Sequence, residues 1–298
     1  MSTVLTLFQQ TLIMFILAGV GLLLYKGGKI SQEGSKSLGN ILIFAVLPCV
    51  IVNSFLVERT AESMKALGIS ALLAFVSVVI AMVVSRLIFR KDPIAAFACS
   101  FSNPGFFGVP LIVAAQSSSA VFYIAAFIGF INLFQWTFGV YLMTGNKESM
   151  SLKGFVKAPF FIALCIGLVL YFTGITLPAI VTKTITTITA INTPLAMFTV
   201  GVYLAQADIG KLFARKQNYL IAAVRLVVIP LITVGLMKLI PGYFEAKQAI
   251  LIAAACPTGS NIAVYAHLHG KDYPYAVETV VLTTLLSIAT IPVIVSLL

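Results

Sequence analysis

The sequence predicts an all-α polytopic membrane protein, with ten transmembrane helices arranged as two inverted five-helix repeats in which helices 4 and 9 are discontinuous and cross. Three observations carry this prediction. The composition is strongly apolar, the apolar runs have spanning length with short basic loops between them, and one run in each half is interrupted by Pro, Gly and Asn.

Of 298 residues, 60% are hydrophobic and 9% charged, where soluble domains run at roughly 45–50% and about 25%. A water-soluble core cannot hold that excess. A spanning helix takes about 20 apolar residues, so the chain has room for on the order of ten spans and no sizeable soluble domain. The net charge of +10 lies in short loops between apolar runs, where it reads as a topology signal rather than a nucleic-acid footprint. Cys49, Cys99, Cys165 and Cys256 all fall in apolar segments, without the spacing of a disulfide framework or zinc site, and read as buried small hydrophobes. The N-terminal run lacks a basic n-region and a cleavage site, so it is expected to be retained as a span.

Apolar run length places the spans, in order, at 4–25, 36–57, 67–89, 94–115, 119–143, 158–175, 183–206, 218–240, 248–268 and 275–298. Loops after the odd-numbered spans hold Lys26, Lys29, Lys36, Arg86, Arg90, Lys91, Lys147, Lys153, Lys157, Lys211, Arg215, Lys216 and Lys271; the opposite loops hold only Arg59, Lys65, Lys183, Lys238 and Lys247. The positive-inside rule then puts both termini on the outer face of the cell membrane. An even span count agrees.

Span four carries Phe101 to Leu111, F-S-N-P-G-F-F-G-V-P-L, and span nine carries Cys256 to Asn261, C-P-T-G-S-N. Pro104 and Pro257 have no N–H to donate and their rings clash with the preceding turn, so regular helix is expected to break there. A break at membrane depth frees backbone groups where lipid offers no substitute. Paired interruptions at corresponding places in two halves are a pointer to a transporter binding site. Weak internal similarity supports the pairing: Pro48 in span two matches Pro194 in span seven, and Ala120-Val121 opens span five as Ala276-Val277 opens span ten. The halves are expected at residues 1–145 and 146–298. An odd number of spans per repeat requires that they lie inverted, so that the two breaks can cross near the bilayer centre.

These stretches, with the closing V-L-T-T-L-L-S-I-A-T-I-P, resemble the auxin efflux carrier family of permeases, which includes bacterial carriers of malate and malonate. The resemblance covers essentially the whole chain. It implies a scaffold and a transport domain, each drawing helices from both repeats, in an architecture similar to the bile acid and sodium symporters. Many members have Asn-Thr-Gly where this chain has Asn103-Pro104-Gly105. The long central loop of the plant hormone exporters is absent, so regulation through that loop is not implied.

Asn103 and Asn261 are the leading substrate-binding candidates, because an amide offers donors to a carboxylate without adding a buried charge. The exposed N–H groups of a half-helix starting at the crossing would favour an anion at the same place. The alternative is that each Asn only caps its helix. Gly105, Thr258, Gly259 and Ser260 extend the candidate set. Hydroxyls at Thr258 and Ser260 equally suit bonds to their own backbone, and Pro104, Pro257, Gly105 and Gly259 serve to shape the break. Asn132 and Gln135 share a face of span five, and the resemblance places a polar residue near Asn132 beside the substrate path; an interhelical hydrogen bond is the competing role for both. Asn53 poses the same choice.

Glu278 reads either as a proton or cation coupling site inside span ten or as an interfacial residue beside Lys271 and Asp272. Arg225 reads as an anion partner or, more simply, as a side chain that snorkels to the interface. His267 and His269 have no third histidine to complete a metal site and read as interfacial. No catalytic triad, Walker loop or dinucleotide fingerprint is present, so a non-enzyme is expected, without cofactors other than a coupling ion, H+ or Na+. The expected function is secondary transport of a small organic anion, a mono- or dicarboxylate, by alternating access, with uptake, efflux and exchange all open. An ion channel, or a carrier of amino acids or another non-carboxylate solute, is the alternative. The expected partners are the substrate and membrane lipid, with a homodimer left open.

Overall fold

A computed structural model describes residues 3–150 and 152–298. The described residues are helical, and the sole β pairing among them is one isolated bridge. In chain order the helices are α1 (Val4–Lys26), α2 (Gln32–Ser54), α3 (Ala61–Ile88), α4 (Pro93–Ser100), α5 (Pro104–Ala115), α6 (Ser118–Thr144), α7 (Leu152–Val156) and α8 (Pro159–Thr173). There follow α9 (Ala179–Gln206), α10 (Ile209–Ala214), α11 (Lys216–Lys238), α12 (Phe244–Ala255), α13 (Asn261–Leu268) and α14 (Tyr273–Val295). Seven of these, α1, α2, α3, α6, α9, α11 and α14, are long and apolar enough to cross a bilayer, or eight if the bent pair ending in α8 counts as one span. At 1.5 Å per residue, 23 residues cover roughly the 30 Å of a hydrocarbon core. The protein is therefore a multi-pass membrane protein.

Local chemistry sets the boundaries. Thr60 and Ser63 form a reciprocal capping box at the start of α3, leaving fewer orphan amides at that end. Asp92 caps α4 ahead of Pro93, and Asp272 caps α14 ahead of Pro274. Gly145 and Gly174 end their helices at φ 71° and 69°, a left-handed conformation that a Cβ disfavours. Pro48, Pro110 and Pro230 each follow a five-residue π-helical stretch, at Leu42–Val46, Pro104–Gly108 and Val224–Val228. Proline cannot donate to the carbonyl four residues back and its ring crowds that carbonyl, so the preceding turn widens.

Two groups of helices result. In the first, α1 packs along α9 while α2 packs against α8 and α9. The α1–α9 approach is backbone to backbone: a Cβ on Gly201 would lie 1.9 Å from the Ala18 carbonyl oxygen, and one on Gly21 2.4 Å from that of Phe198. Small residues let membrane helices gain contact where lipid provides no hydrophobic drive. In the second group α3 packs on α6, α4 and α12, and α14 packs on α11, α12 and α13. Outward faces carry exposed apolar side chains such as Ile16, Leu23, Ile180 and Leu239, as contact with lipid requires. Cys165 belongs to this exposed set, whereas Cys99 and Cys256 are buried and Cys49 is half-buried. The expectation that all four cysteines are interior therefore fails at Cys165, because α8 turns that face outward.

Candidate functional site

Both predicted interruptions are present, and they meet. The chain leaves helix at Phe101–Asn103, between α4 and α5, and at Cys256–Ser260, between α12 and α13. Ser102 and Thr258 pair as an antiparallel β-bridge. The Asn103 N–H donates to the Pro257 carbonyl at 2.9 Å and the Gly259 N–H to the Phe101 carbonyl at 2.9 Å. Each break thus supplies partners that the other lost, which is how irregular backbone survives away from water. Gly259 is needed here for room, since a Cβ would sit 3.0 Å from the Ser102 carbonyl oxygen. Thr258 anchors the bridge from below. Its N–H donates to Thr283 Oγ1 of α14 at 3.1 Å and its hydroxyl to the Ala98 carbonyl of α4 at 3.1 Å.

Four helix ends converge at this bridge. Two are C-terminal, those of α4 and α12, whose last carbonyls lack intrahelical donors. Arg225 serves both. Its Nη1 donates to the Cys99 carbonyl at 2.8 Å, its Nε to the Cys256 carbonyl at 3.2 Å, and its Nη2 to the Ala254 carbonyl. The side chain is 1% exposed. A buried guanidinium is tolerable only when its donors are filled. Here two negative helix poles face it as well. Arg225 sits in the widened turn Val224–Val228 of α11.

The other two ends are N-terminal, those of α5 and α13, and they open onto a cavity of about 390 Å³. Asn103 caps α5 through Oδ1, which accepts from the Phe106 N–H at 3.3 Å. The backbone N–H groups of Gly105, Ser260 and Asn261 form no hydrogen bond among the described residues. Asn261 Nδ2 donates to Gln135 Oε1 of α6 at 3.0 Å, which ties the second break to the first half of the chain. The Ser102 hydroxyl, on a residue 2% exposed, has no partner. Beyond this polar wall the cavity is lined by Ile43, Phe44 and Leu47 of α2, Ile128, Ile131 and Trp136 of α6, Val264 and Tyr265 of α13, and the α7–α8 bend with Lys157 and Phe160. It lies between the two helix groups. The π-helical turns Leu42–Val46, Pro104–Gly108 and Gln135–Gly139 all contribute to its wall. Such turns recur at functional sites because they redirect side chains out of helical register.

Residues 147–295, half of the chain, match the family described as Membrane transport protein, the auxin efflux carrier family. The chain belongs to that family. Over 277 residues it is 25% identical to a protein of Rhizobium meliloti (strain 1021) named "Putative malonate transporter", an alignment covering 87% of this chain and 85% of that protein.

Within this membrane transport protein, most of the residues singled out from sequence gather at one place. Asn103, Pro104, Gly105, Gly259, Ser260, Asn261 and Asn132 all line the cavity. Asn132 turns its Nδ2 onto the Ile128 carbonyl at 2.8 Å, which leaves its Oδ1 and the second N–H available. Thr258 and Pro257 do not join them, because both sit behind the bridge and the Thr258 hydroxyl is committed to α4.

One charged residue of the transporter departs from the simpler expectation. Arg225 does not snorkel; it is buried at the crossing, because carbonyls from two other helices need it. Glu278 is buried within the protein. It is 1% exposed, its Oε2 lies 3.1 Å from Arg215 Nε, and it accepts from Asn218 Nδ2 at 3.0 Å. Arg215 also stacks 4.2 Å over the Tyr275 ring, and the Tyr275 hydroxyl donates to Asp92 at 2.8 Å. This cluster joins α4, α10, α11 and α14 at one end of the second helix group. Asn53 accepts from Thr186 of α9 at 3.3 Å, an interhelical bond. His267 is exposed.

Ser102 and Lys157 were missed as site residues, and Gln135 was noted only for its face. Ser102 directly precedes the Asn103 break and was open to inclusion by position. Lys157 read as one more loop cation, because nothing in its own neighbourhood says that the α7–α8 bend folds over the cavity.

Proposed function

We propose that the protein is a secondary active transporter of small organic anions, dicarboxylates in particular, working by alternating access. One observation carries the reading: two helix breaks from opposite halves of the chain present unpaired N–H groups and two amide side chains to a single cavity. Donors without a neighbouring carboxylate form an anion site, and helix N-termini add their positive pole. The cavity lies between α2 and α8 on one side and α5, α6 and α13 on the other, so movement of one helix group against the other would change which side it opens to. We assign the first group as scaffold and the second as transport domain. The likeness to a protein named for malonate transport supports a dicarboxylate.

The same reading completes the topology. Counting α4–α5 and α12–α13 as broken spans brings the total to ten, two inverted repeats at 1–145 and 146–298, with both termini outside and the basic loops in the cytoplasm. Antiparallel pairing of the two breaks and their joint hold on Arg225 support this arrangement.

Purified protein reconstituted into liposomes tests the function directly. Radiolabelled malonate should enter, saturate, and exchange against internal unlabelled malonate. Flux of amino acids or neutral solutes with none of any carboxylate would overturn the anion reading, and single-channel currents would replace it with a channel.

A further inference from the structure

The cavity has a neutral end and a charged end. At the crossing, every donor is uncharged: Asn103, Asn261 and the amides of α5 and α13. Among the described lining residues one side chain bears a charge, Lys157, at the bend between α7 and α8. It forms no ion pair or ring contact with the described residues. No Asp or Glu lines the cavity to neutralise it.

Charge accounting explains what such a cation is for. Each helix N-terminus acts as roughly half a positive charge, so the ends of α5 and α13 together offset about one carboxylate. A monocarboxylate is therefore balanced at the crossing alone. A dianion in the same space would leave one charge facing Ile43, Phe44, Ile131 and Phe160, and an uncompensated charge among apolar walls is costly. A lysine, with its charge on a flexible four-carbon stem, can follow a second carboxylate through a range of positions.

Resting on the anion-carrier reading, we propose that Lys157 selects dicarboxylates over monocarboxylates by taking the second carboxylate of a substrate whose first is held at the crossing. Lys157 lies at the α7–α8 bend and the amide donors at the paired breaks, on different walls of the same cavity. A dianion therefore engages both walls, and a monoanion of equal length engages one.

The test compares malonate with propionate, a monocarboxylate of the same carbon count, in proteoliposomes of wild type, Lys157→Gln and Lys157→Arg. A charge-assisted contact of this kind contributes about 1.5–3 kcal/mol, so Lys157→Gln should raise the KM for malonate about tenfold or more. Its KM for propionate should stay within about twofold, and Lys157→Arg should recover most of the malonate affinity, because the positive charge is kept. Equal loss for both anions, or no loss for either, overturns the selectivity role while leaving the anion carrier intact. Wild-type protein that moves neither anion overturns both. Matching melting temperatures in detergent establish that the variants are folded, as expected for an exposed side chain.

Discussion

The crossing has two poles, and the chain treats them oppositely. At the C-terminal pole, the carbonyls closing α4 and α12 are sealed by Arg225 within the protein. At the N-terminal pole, the amides opening α5 and α13 are left facing a cavity. The breaks are chemically alike, so the difference lies in what third parties bring to them. A fixed cation fills the negative pole permanently. The positive pole is left without a fixed anion, which is the condition for a mobile one. The anion-carrier proposal turns on this asymmetry: one pole holds the two broken helices together, and the other is open to bind and release a substrate.

The largest expected effect comes from breaking the sealed pole. Arg225→Met should cost on the order of 3–5 kcal/mol, by analogy with loss of one partner from a buried charged pair, and should abolish a cooperative melt of the detergent-solubilised protein. A stable, transporting Arg225→Met would show that the seal is dispensable. At the open pole, Asn261→Ala should weaken malonate binding about tenfold, the scale of one charge-assisted hydrogen bond, with a much smaller shift in melting temperature. A large melting shift with unchanged affinity would make Asn261 a structural residue like Arg225. The smallest effect is a predicted absence. Half-helix carbonyls are the ligands that coordinate coupling Na+ in related designs, and here Arg225 holds them. Replacing Na+ by choline should therefore leave malonate flux unchanged, and a sodium-dependent rate would place a cation site elsewhere.

Much of the site was legible in sequence because its signals are local. Asn103-Pro104-Gly105 and Pro257-Thr258-Gly259 break helices through the chemistry of their own backbones, and both breaks lie where that chemistry puts them. Asn261 and Ser260 follow as the first residues of the restarted helix. The reading went astray where the deciding partner is remote. The Thr258 hydroxyl was weighed between a ligand and its own backbone, and it goes instead to the carbonyl of Ala98, 160 residues away. Glu278 lies near Lys271 and Asp272 in sequence, but its polar partners are Arg215, between α10 and α11, and Asn218 of α11.

By itself, then, the sequence determined that the chain spans a membrane, where its helices run, and where two of them break. Run length, proline and glycine act within a few residues and need no partner. Only the tertiary structure decided that the two breaks pair across a β-bridge, that Arg225 belongs to the crossing rather than the surface, and that Lys157 overlooks the cavity. Those outcomes depend on which distant groups arrive within a few ångströms of each other. A charge carried on a loop or a helix looks the same in sequence whether it meets water, carbonyls or a substrate.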